Sequence, residues 1–216
     1  MERIARTRKR SRTYDATGRR AQAERTRDVV IDAAERLFVA NGYAAATVSS
    51  IADAAGVSVE TIYKSFRGKP GLVRAIRERR LAGAGPVHAE ARSDRTRRLE
   101  SDPRKLVAEW GRLTAEVAPR VSPILLLVRD AAATDAEMAD LMAEMDADRL
   151  RRMRVNARHL HSAGHTRAGI SLARVTDVLW TYSSGELYEL LVVKRGWALK
   201  QYGEFVGESI AAALLK

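Results

Sequence analysis

The chain has 216 residues, of which 46% are hydrophobic and 30% charged, which is ordinary for a globular protein and excludes collagen-like and low-complexity classes. Lysine and arginine number 38 against 27 aspartates and glutamates. The resulting net charge of +11 favours an anionic partner such as nucleic acid, an anionic membrane surface or an acidic ligand. The absence of cysteine excludes disulfides, thiolate nucleophiles and cysteine-based metal sites.

The sequence also bears on localisation. No apolar run approaches the roughly 20 residues that a membrane span needs. The arginine-rich start lacks the apolar segment of a secretory signal. We therefore expect a cytoplasmic protein without a membrane partner.

The positive charge is concentrated near the amino terminus. Residues 1–80 hold 18 basic and 9 acidic side chains, whereas residues 81–216 hold 20 and 18. A block of like charges without an apolar stripe repels itself, so we expect residues 1–19 to form a flexible basic arm that phosphate attracts. A merely solubilising tail is the alternative.

Helical spacing recurs throughout and strand patterns are nearly absent, which predicts an all-α protein with about nine helices. The first helix begins near Arg20, and Gly42 supplies its stop. A short second helix spans 47–55, Ser58 caps the third, and a fourth runs over 70–81.

The helical pattern weakens over 83–101, which we interpret as a linker between two domains. Beyond it, Asp102 caps a helix that Pro119 ends, and Pro123 lies at the start of the next.

Three further helices complete the chain. Thr134 and Glu137 form a capping box for a long helix that Gly164 closes. Another helix begins near Ser171, with a break expected at 183–186, and a last helix follows.

Residues 47–66 have the pattern of a helix-turn-helix. Ala52, Gly56 and Ile62 provide the small residue at the crossing, the glycine of the turn and the apolar anchor of the second helix. Together with the preceding amphipathic helix and the basic arm, they favour a DNA-binding motif over a coincidental helical hairpin. The side chains predicted to face outward are Ser58, Glu60, Thr61, Tyr63 and Lys64.

Residues 33–76 also carry a dense set of motif positions. These are Gly42, Tyr43, Thr47, Ile51, Ala52, Ala55, Gly56, Val57, Ile62, Tyr63, Phe66 and Lys69. In these positions the stretch resembles the N-terminal domain of TetR-type (tetracycline-repressor-like) transcriptional regulators. The resemblance implies an N-terminal three-helix DNA-binding domain over 20–68, a connecting helix over 69–82, and a larger helical effector-binding and dimerisation domain over 102–216. The stretch Lys64-Ser65-Phe66 departs from the pattern, because many members place a histidine before the phenylalanine.

The resemblance further implies which residues meet DNA: Arg25, Thr26, Thr47, Ser49, Ser58, Glu60, Thr61, Tyr63, Lys64 and Lys69. Lys64 and Glu60 would face base edges, since a carboxylate can accept a hydrogen bond from cytosine, whereas Tyr63 and Lys69 would contact phosphates. The alternatives are a half-buried packing role for Tyr63 and, for Glu60, a favourable charge at the start of its helix.

One helix-turn-helix reads few base pairs, so we expect a homodimer on a palindromic operator in double-stranded DNA. Gly203 and Gly207, four residues apart, would let two helix backbones approach closely. The predicted dimer residues are Tyr202, Gly203, Phe205, Val206, Gly207 and Ile210. Ordinary packing within one chain is the alternative.

The resemblance implies a pocket for a small-molecule effector in the second domain, and wide or adaptable side chains there suit a largely apolar ligand. The candidate lining residues are Trp110, Arg129, Met142, Met145, Arg149, Trp180 and Tyr182. Arg149, Arg152 and Asn156 interrupt the apolar face of the long helix, so they either line a cavity or face solvent. The histidines at 159, 161 and 165 do not form a metal cluster with carboxylates, and we expect no metal.

No dinucleotide-binding, Walker, zincin or nucleophile-elbow motif is present, so we expect neither enzymatic activity nor a cofactor. The sequence favours a sequence-specific regulator, most simply a repressor that releases its operator on binding an effector, with the fourth helix as lever. One alternative is a nonspecific or architectural DNA-binding protein driven by the basic arm. Another is a helical ligand-binding protein or enzyme without regulatory DNA binding.

Overall fold

The computed structural model describes residues 16–82 and 87–216, and within these ranges the chain is helical, with one isolated antiparallel bridge between Thr166 and Leu215. The all-α prediction is confirmed. The elements are α1 (Ala16–Ala45), α2 (Val48–Ala55), α3 (Val59–Phe66), α4 (Lys69–Ala82), α5 (Ala89–Leu99), α6 (Pro103–Ala132), α7 (Ala136–Ser162), α8 (Leu172–Tyr182), α9 (Gly185–Tyr188), a π-helix (Glu189–Lys194) and α10 (Leu199–Leu214). No helix in the described part is long and apolar enough to cross a membrane.

Local capping sets the limits of the two shortest N-terminal helices. The Thr47 hydroxyl accepts from the backbone N–H of Ser50, and the Ser50 hydroxyl oxygen accepts from the N–H of Thr47. Gly56 ends α2 in the left-handed conformation (φ +66°), which glycine adopts without strain. Ser58 caps α3 by accepting from the N–H of Thr61 at 3.2 Å. The predicted cap of α3 is confirmed, and Thr47, predicted as the first residue of α2, is its cap.

The first four helices share one apolar core with α6 and α7. From the first part of the chain it takes Phe38, Ile51 and Ile62, and from α6 and α7 it takes Val128 and Leu141, all buried. The end of α4 is therefore not a boundary between separate cores.

The predicted linker over 83–101 is wrong for its second half, which forms α5. Only Ala89 and Ser93 of this helix are buried, and both are small, so the stretch has no apolar stripe. Polar contacts hold it instead: Arg92 donates to Glu116 of α6 at 2.6 Å, and Arg152 of α7 pairs with Asp94 at 2.8 Å.

The predicted helix end at Pro119 and the start near Pro123 are both wrong, because α6 runs as one helix of 30 residues through both prolines. A proline inside a helix removes one backbone hydrogen bond and crowds the preceding turn. Here α6 is buried along its whole length, from Leu106 to Val128, and this tertiary packing offsets the local cost. The expected cap Asp102 is confirmed.

The remaining helices follow their caps closely. Asp135, rather than the predicted Thr134, caps α7 by accepting from the N–H of Met138 at 3.1 Å. Ser171 caps α8 as expected. The expected break falls at Ser184, which caps α9, and the π-helix that follows was not predicted.

The closest helix crossing joins α6 to α10 in the same chain. A Cβ atom added at Gly111 would lie 2.3 Å from the carbonyl oxygen of Gly203 and 2.8 Å from the nitrogen of Gly207. The two glycines of α10 therefore allow close approach, as predicted, but to α6 of their own chain.

The prediction that the same face of α10 forms the dimer interface stays a prediction, and within the single chain this face makes intrachain contacts. Tyr202, Gly203, Val206, Gly207 and Ile210 are all buried within one chain, so their side chains and backbone are already in contact. The remaining predicted dimer residue is half-buried: the Phe205 ring lies edge-on to those of Tyr182 and Trp197. Intrachain packing, the alternative, describes this face.

Candidate nucleic-acid interface and effector cavity

The helix-turn-helix has one anchored face and one open face. Ile51 and Ala52 of α2 and Ile62 and Phe66 of α3 are buried in the core, which fixes how the two helices cross. Of the ten predicted DNA-binding residues, seven are exposed and the other three, Thr26, Thr61 and Lys69, are half-buried. The exposed ones are Arg25, Thr47, Ser49, Ser58, Glu60, Tyr63 and Lys64.

Tyr63 and Lys64 give the open face of α3 its reach. The Tyr63 side chain is 54% exposed, which does not fit the half-buried packing alternative. Neither Glu60 nor Lys64 forms an ion pair with the described part of the chain, so both remain available to a partner. Glu60 also lies in the first turn of α3, where its charge favours the helix dipole.

Several predicted contact residues also build the motif. Thr47 and Ser58 are helix caps, and the Ser58 and Thr61 hydroxyl oxygens lie 2.9 Å apart. These hydroxyls therefore orient the helix ends. A hydroxyl has one donor and two acceptor positions, so capping leaves capacity for a further bond.

Lys69 has a role that the sequence did not predict. Its ammonium donates to the Tyr43 carbonyl oxygen at 2.6 Å and lies 4.0 Å from the centroid of the Tyr43 ring. Burial lowers the pKa of Lys69 and raises the pKa of Tyr43 to about 12. Lys69 thus ties the start of α4 to the end of α1, and a phosphate would have to compete with these contacts.

The amino-terminal turns of α1 are basic and extend beyond the core. The first buried residue of α1 is Val30, so about 14 residues, or roughly 20 Å of helix, precede it. Arg27, which the sequence analysis did not select, lies 4.8 Å over the Phe66 ring and places this end of α1 beside α3. Of the predicted arm over 1–19, residues 16–19 belong to α1 and residues 1–15 lie outside the described residues.

A cavity of about 180 Å³ lies between α4, α5, α6, α7, α8, the start of α9 and α10. Trp110, Met145, Arg149 and Tyr182 line it, as predicted. Four elements that supplied no predicted lining residue also line the cavity: α4 with Arg77 and Leu81, α5 with Ala89, Glu90 and Ser93, α9 with Gly185 and α10 with Ile210. The α5 residues were missed because that stretch was interpreted as a linker.

Three predicted lining residues lie elsewhere. Arg129 donates to Glu189 of the π-helix at 2.8 Å and also pairs with Asp130. Met142 packs on the core shared with the N-terminal helices. Trp180 is covered by the Arg149 guanidinium, 4.3 Å from its ring. Long side chains at helical spacing do not reveal from sequence which side of a helix faces a void.

Arginines of α4 form ion pairs with both α1 and α7. Arg74 pairs with Glu144 of α7 at 2.7 Å, and Arg77 pairs with Asp148 of the same helix at 3.3 Å. Toward the other end of α4, Arg80 pairs with Glu35 of α1 at 2.6 Å. Helix α4 thus contacts the cavity, α7 and the DNA-binding helices.

His159, His161 and His165 are not joined by acidic residues at a common point. In the described part of the chain there is no group of three histidine, aspartate or glutamate side chains placed to hold a metal ion. Burial, followed by the charge of Arg97, lowers the pKa of His159.

The N-terminal helices are similar in sequence to known bacterial regulatory proteins. Residues 30–76 match the model of the family of bacterial regulatory proteins named tetR. YvkB of Bacillus subtilis strain 168, an uncharacterized HTH-type transcriptional regulator, is 37% identical over 65 residues, which are 30% of this chain and 34% of that protein. The HTH-type transcriptional regulator TtgR of Pseudomonas putida is 44% identical over 55 residues, 26% of either chain. The matches thus span about a third or less of these curated relatives.

Solved structures extend the likeness of fold to almost the whole chain. SmeT in complex with triclosan superposes with a TM-score of 0.68 at 24% identity, over 89% of this chain and 92% of that one. NalD of Pseudomonas aeruginosa, the secondary repressor of the MexAB-OprM multidrug efflux pump, superposes with a TM-score of 0.71 at 19% identity, over 90% and 98%. Residues 30–76 thus match the tetR family of bacterial regulatory proteins, within a fold that almost the whole chain shares with these two structures.

Proposed function

We propose that this protein is a sequence-specific DNA-binding transcriptional regulator, most simply a repressor that releases a palindromic operator when a small, largely apolar effector binds. The open face of α3 carries the proposal. Its apolar residues are fixed in the core, while Tyr63, Lys64 and Glu60 project outward together. A helix held in this way fits the major groove of DNA, where side chains can reach base edges.

The charge of α1 supports the same partner. Arg25 and Arg27 are exposed on the turns that precede the core, and Arg27 packs over Phe66 at the end of α3. Cations beside the recognition helix attract the phosphates that flank the bases it reads.

A homodimer would double the number of base pairs read. Because the inward face of α10 is already packed against α6, we expect other exposed apolar residues to take part in the dimer surface. Leu190 and Val193 of the π-helix are 53% and 62% exposed, and Leu199 at the start of α10 is also exposed. Exposed apolar side chains grouped in this way favour contact with a second copy of the chain.

The cavity supports effector control. Among the proteins of similar fold, SmeT was solved in complex with triclosan, and NalD is the secondary repressor of an efflux pump. Here α4 contributes Arg77 and Leu81 to the cavity and also contacts α1 through Arg80. A ligand that favours another position of α4 would shift the DNA-binding helices away from their half-site spacing.

The test is selection of binding sites from random duplex DNA at physiological salt, followed by sequencing of the retained molecules. We expect an enriched palindrome whose half-sites are centred about one helical turn apart, or a multiple of it. The matched control is a duplex of equal length with the half-sites scrambled. Retention without enrichment, lost steeply as salt rises, would contradict the proposal and favour a nonspecific DNA-binding protein.

A further inference from the structure

We propose that the cavity binds a compact apolar molecule carrying one carboxylate, with the carboxylate held at a polar corner formed by Arg152, Asn156 and Ser93. This inference rests on the proposed function, in which the cavity is the effector site. It adds the chemical class of the effector and the residues that select it.

The walls of the cavity define the apolar part of the ligand. Leu113, Val117 and Val121 of α6 face Met145 of α7 and Leu179 of α8 across it. The volume is about 180 Å³, whereas a dry apolar cavity of about 150 Å³ holds a benzene molecule. The ligand is therefore of the size of one or two rings.

The polar corner has donors whose bonds are weak. Asn156 and Ser93 are each only 4% exposed, and the Asn156 amide donates to the Ser93 hydroxyl oxygen at 3.4 Å. The Arg152 side chain is 14% exposed and donates to the Asn156 side-chain oxygen at 3.3 Å. Ordinary bonds of this kind are about 2.9 to 3.0 Å long. Buried polar groups held by long bonds favour a better acceptor.

A carboxylate supplies that acceptor. Its two oxygens can take one N–H from the Arg152 guanidinium and one from the Asn156 amide. Arg152 also pairs with Asp94 at 2.8 Å through its other terminal nitrogen, so a ligand that bonds to the nitrogen facing Asn156 leaves this ion pair in place.

The charges around the cavity favour an anion over a cation. The guanidiniums of Arg77, Arg149 and Arg152 all belong to the lining. The carboxylates in the lining are those of Asp146, which pairs with Arg149 at 3.1 Å, and of Glu90, which is exposed. The aspartates that pair with Arg77 and Arg152, Asp148 and Asp94, are not part of the lining. A cationic ligand would meet three guanidiniums, whereas a carboxylate is attracted by them.

The experiment compares two probes of the same shape, 2-naphthoate and its neutral amide 2-naphthamide, by titration calorimetry on the full chain. We expect naphthoate to bind about tenfold or more tightly, because a charge-assisted hydrogen bond is stronger than a neutral one. Arg152→Gln should abolish this preference. Arg154→Gln is the matched control, since Arg154 is exposed on the same helix two residues away and outside the lining.

Folding of the Arg152→Gln variant is checked by thermal unfolding, and the ion pair of Arg92 with Glu116 of α6 at 2.6 Å remains to hold α5. Equal affinities for the two probes, no binding of either at millimolar concentration, or a preference unchanged in Arg152→Gln would each overturn the proposal.

Operator binding, measured separately with and without naphthoate, keeps the two proposals apart. Naphthoate that binds with the expected preference but leaves DNA affinity unchanged would support the carboxylate site and contradict effector release. Sequence-specific DNA binding by a chain that shows no carboxylate preference would leave the regulatory function standing and the ligand class overturned.

Discussion

The helix-turn-helix and the cavity region use opposite arrangements of polar and apolar residues. In α2 and α3, eight residues each, hydrophobic side chains anchor the helix and the functional candidates face solvent. Around the cavity, polar side chains such as Asn156 and Arg152 are themselves enclosed among apolar ones. Under the proposed function, base preference can therefore change by surface substitutions that leave stability nearly unaltered, whereas a change of effector requires substitutions inside a packed core.

The close packing of α6 against α10 beside the cavity can be disrupted by a substitution at Gly111. Gly111→Ala places a methyl group against the backbone of Gly203 and Gly207, and we expect it to lower the free energy of unfolding by about 3 kcal/mol. Denaturant unfolding measures this loss. Arg112→Ala, at the exposed neighbouring position, should change the stability by less than about 0.5 kcal/mol. A Gly111→Ala variant as stable as the wild type would show that α6 and α10 can separate without cost.

Two substitutions, one of a lysine and one of an arginine, separate base reading from phosphate binding in the helix-turn-helix region. Lys64→Ala should change base preference at particular operator positions by about 2 kcal/mol, since Lys64 lies on the open face of α3. Arg25→Ala should weaken binding to every sequence and reduce the salt slope by about one unit. Both effects are measured by titrating selected and scrambled duplexes at several salt concentrations. Equal losses on both duplexes for Lys64→Ala would contradict its role in reading bases.

A substitution at Lys69 tests whether this residue, at the start of α4, stabilises the fold or contacts DNA. Lys69→Met removes the ammonium from the Tyr43 carbonyl and ring, and we expect it to lower the unfolding free energy by about 1.5 kcal/mol. Because that ammonium is already bonded, the salt slope of DNA binding should stay nearly constant. Lys200→Met, at an exposed lysine 3.8 Å from Glu204, is the control for stability. A salt slope of DNA binding reduced by about one unit, with stability unchanged, would instead support the phosphate contact that the family resemblance implies.

The sequence predicted what local chemistry determines. The cap Ser58, the helix starts at Asp102 and near Ser171, and the break near Ser184 each depend on a side chain that bonds to backbone within three residues. The same local signals located the helix-turn-helix and its exposed face.

Long-range packing determines the features that the sequence did not predict, because local residue patterns contain no information on distant contacts. The prolines of α6 indicate a break, yet the helix continues through them, and buried residues on both sides of the prolines pack it into the protein. Gly203 and Gly207 do mark a close crossing, but their partner Gly111 lies more than 90 residues away in the same chain. Helix α5 was missed because Ala89 and Ser93 are too small to form an apolar stripe. Their contribution to the cavity follows from contacts with α6 and α7.

The ion pair between α4 and α7 offers the mildest test of how the two regions are joined. Hydrogen bonding by Arg74 lowers the pKa of Glu144 below its ordinary 4.5. A carboxyl group with a lowered pKa in the folded state stabilises the fold at neutral pH, and this contribution disappears as the pH falls below 4.5 through the folded-state value. Both side chains are about half exposed, so we expect Glu144→Gln to cost less than about 1 kcal/mol at pH 7.

The diagnostic measurement is unfolding free energy as a function of pH. The difference between wild type and Glu144→Gln should shrink toward zero on acidification, because protonation removes from the wild type the same charge that the substitution removes. Glu137→Gln is the control, since Glu137 is exposed on α7 and forms no ion pair in the described part of the chain. A difference that stays constant down to low pH would mean that Arg74 and Glu144 contribute through packing, and that charge does not hold α4 to α7 at this position.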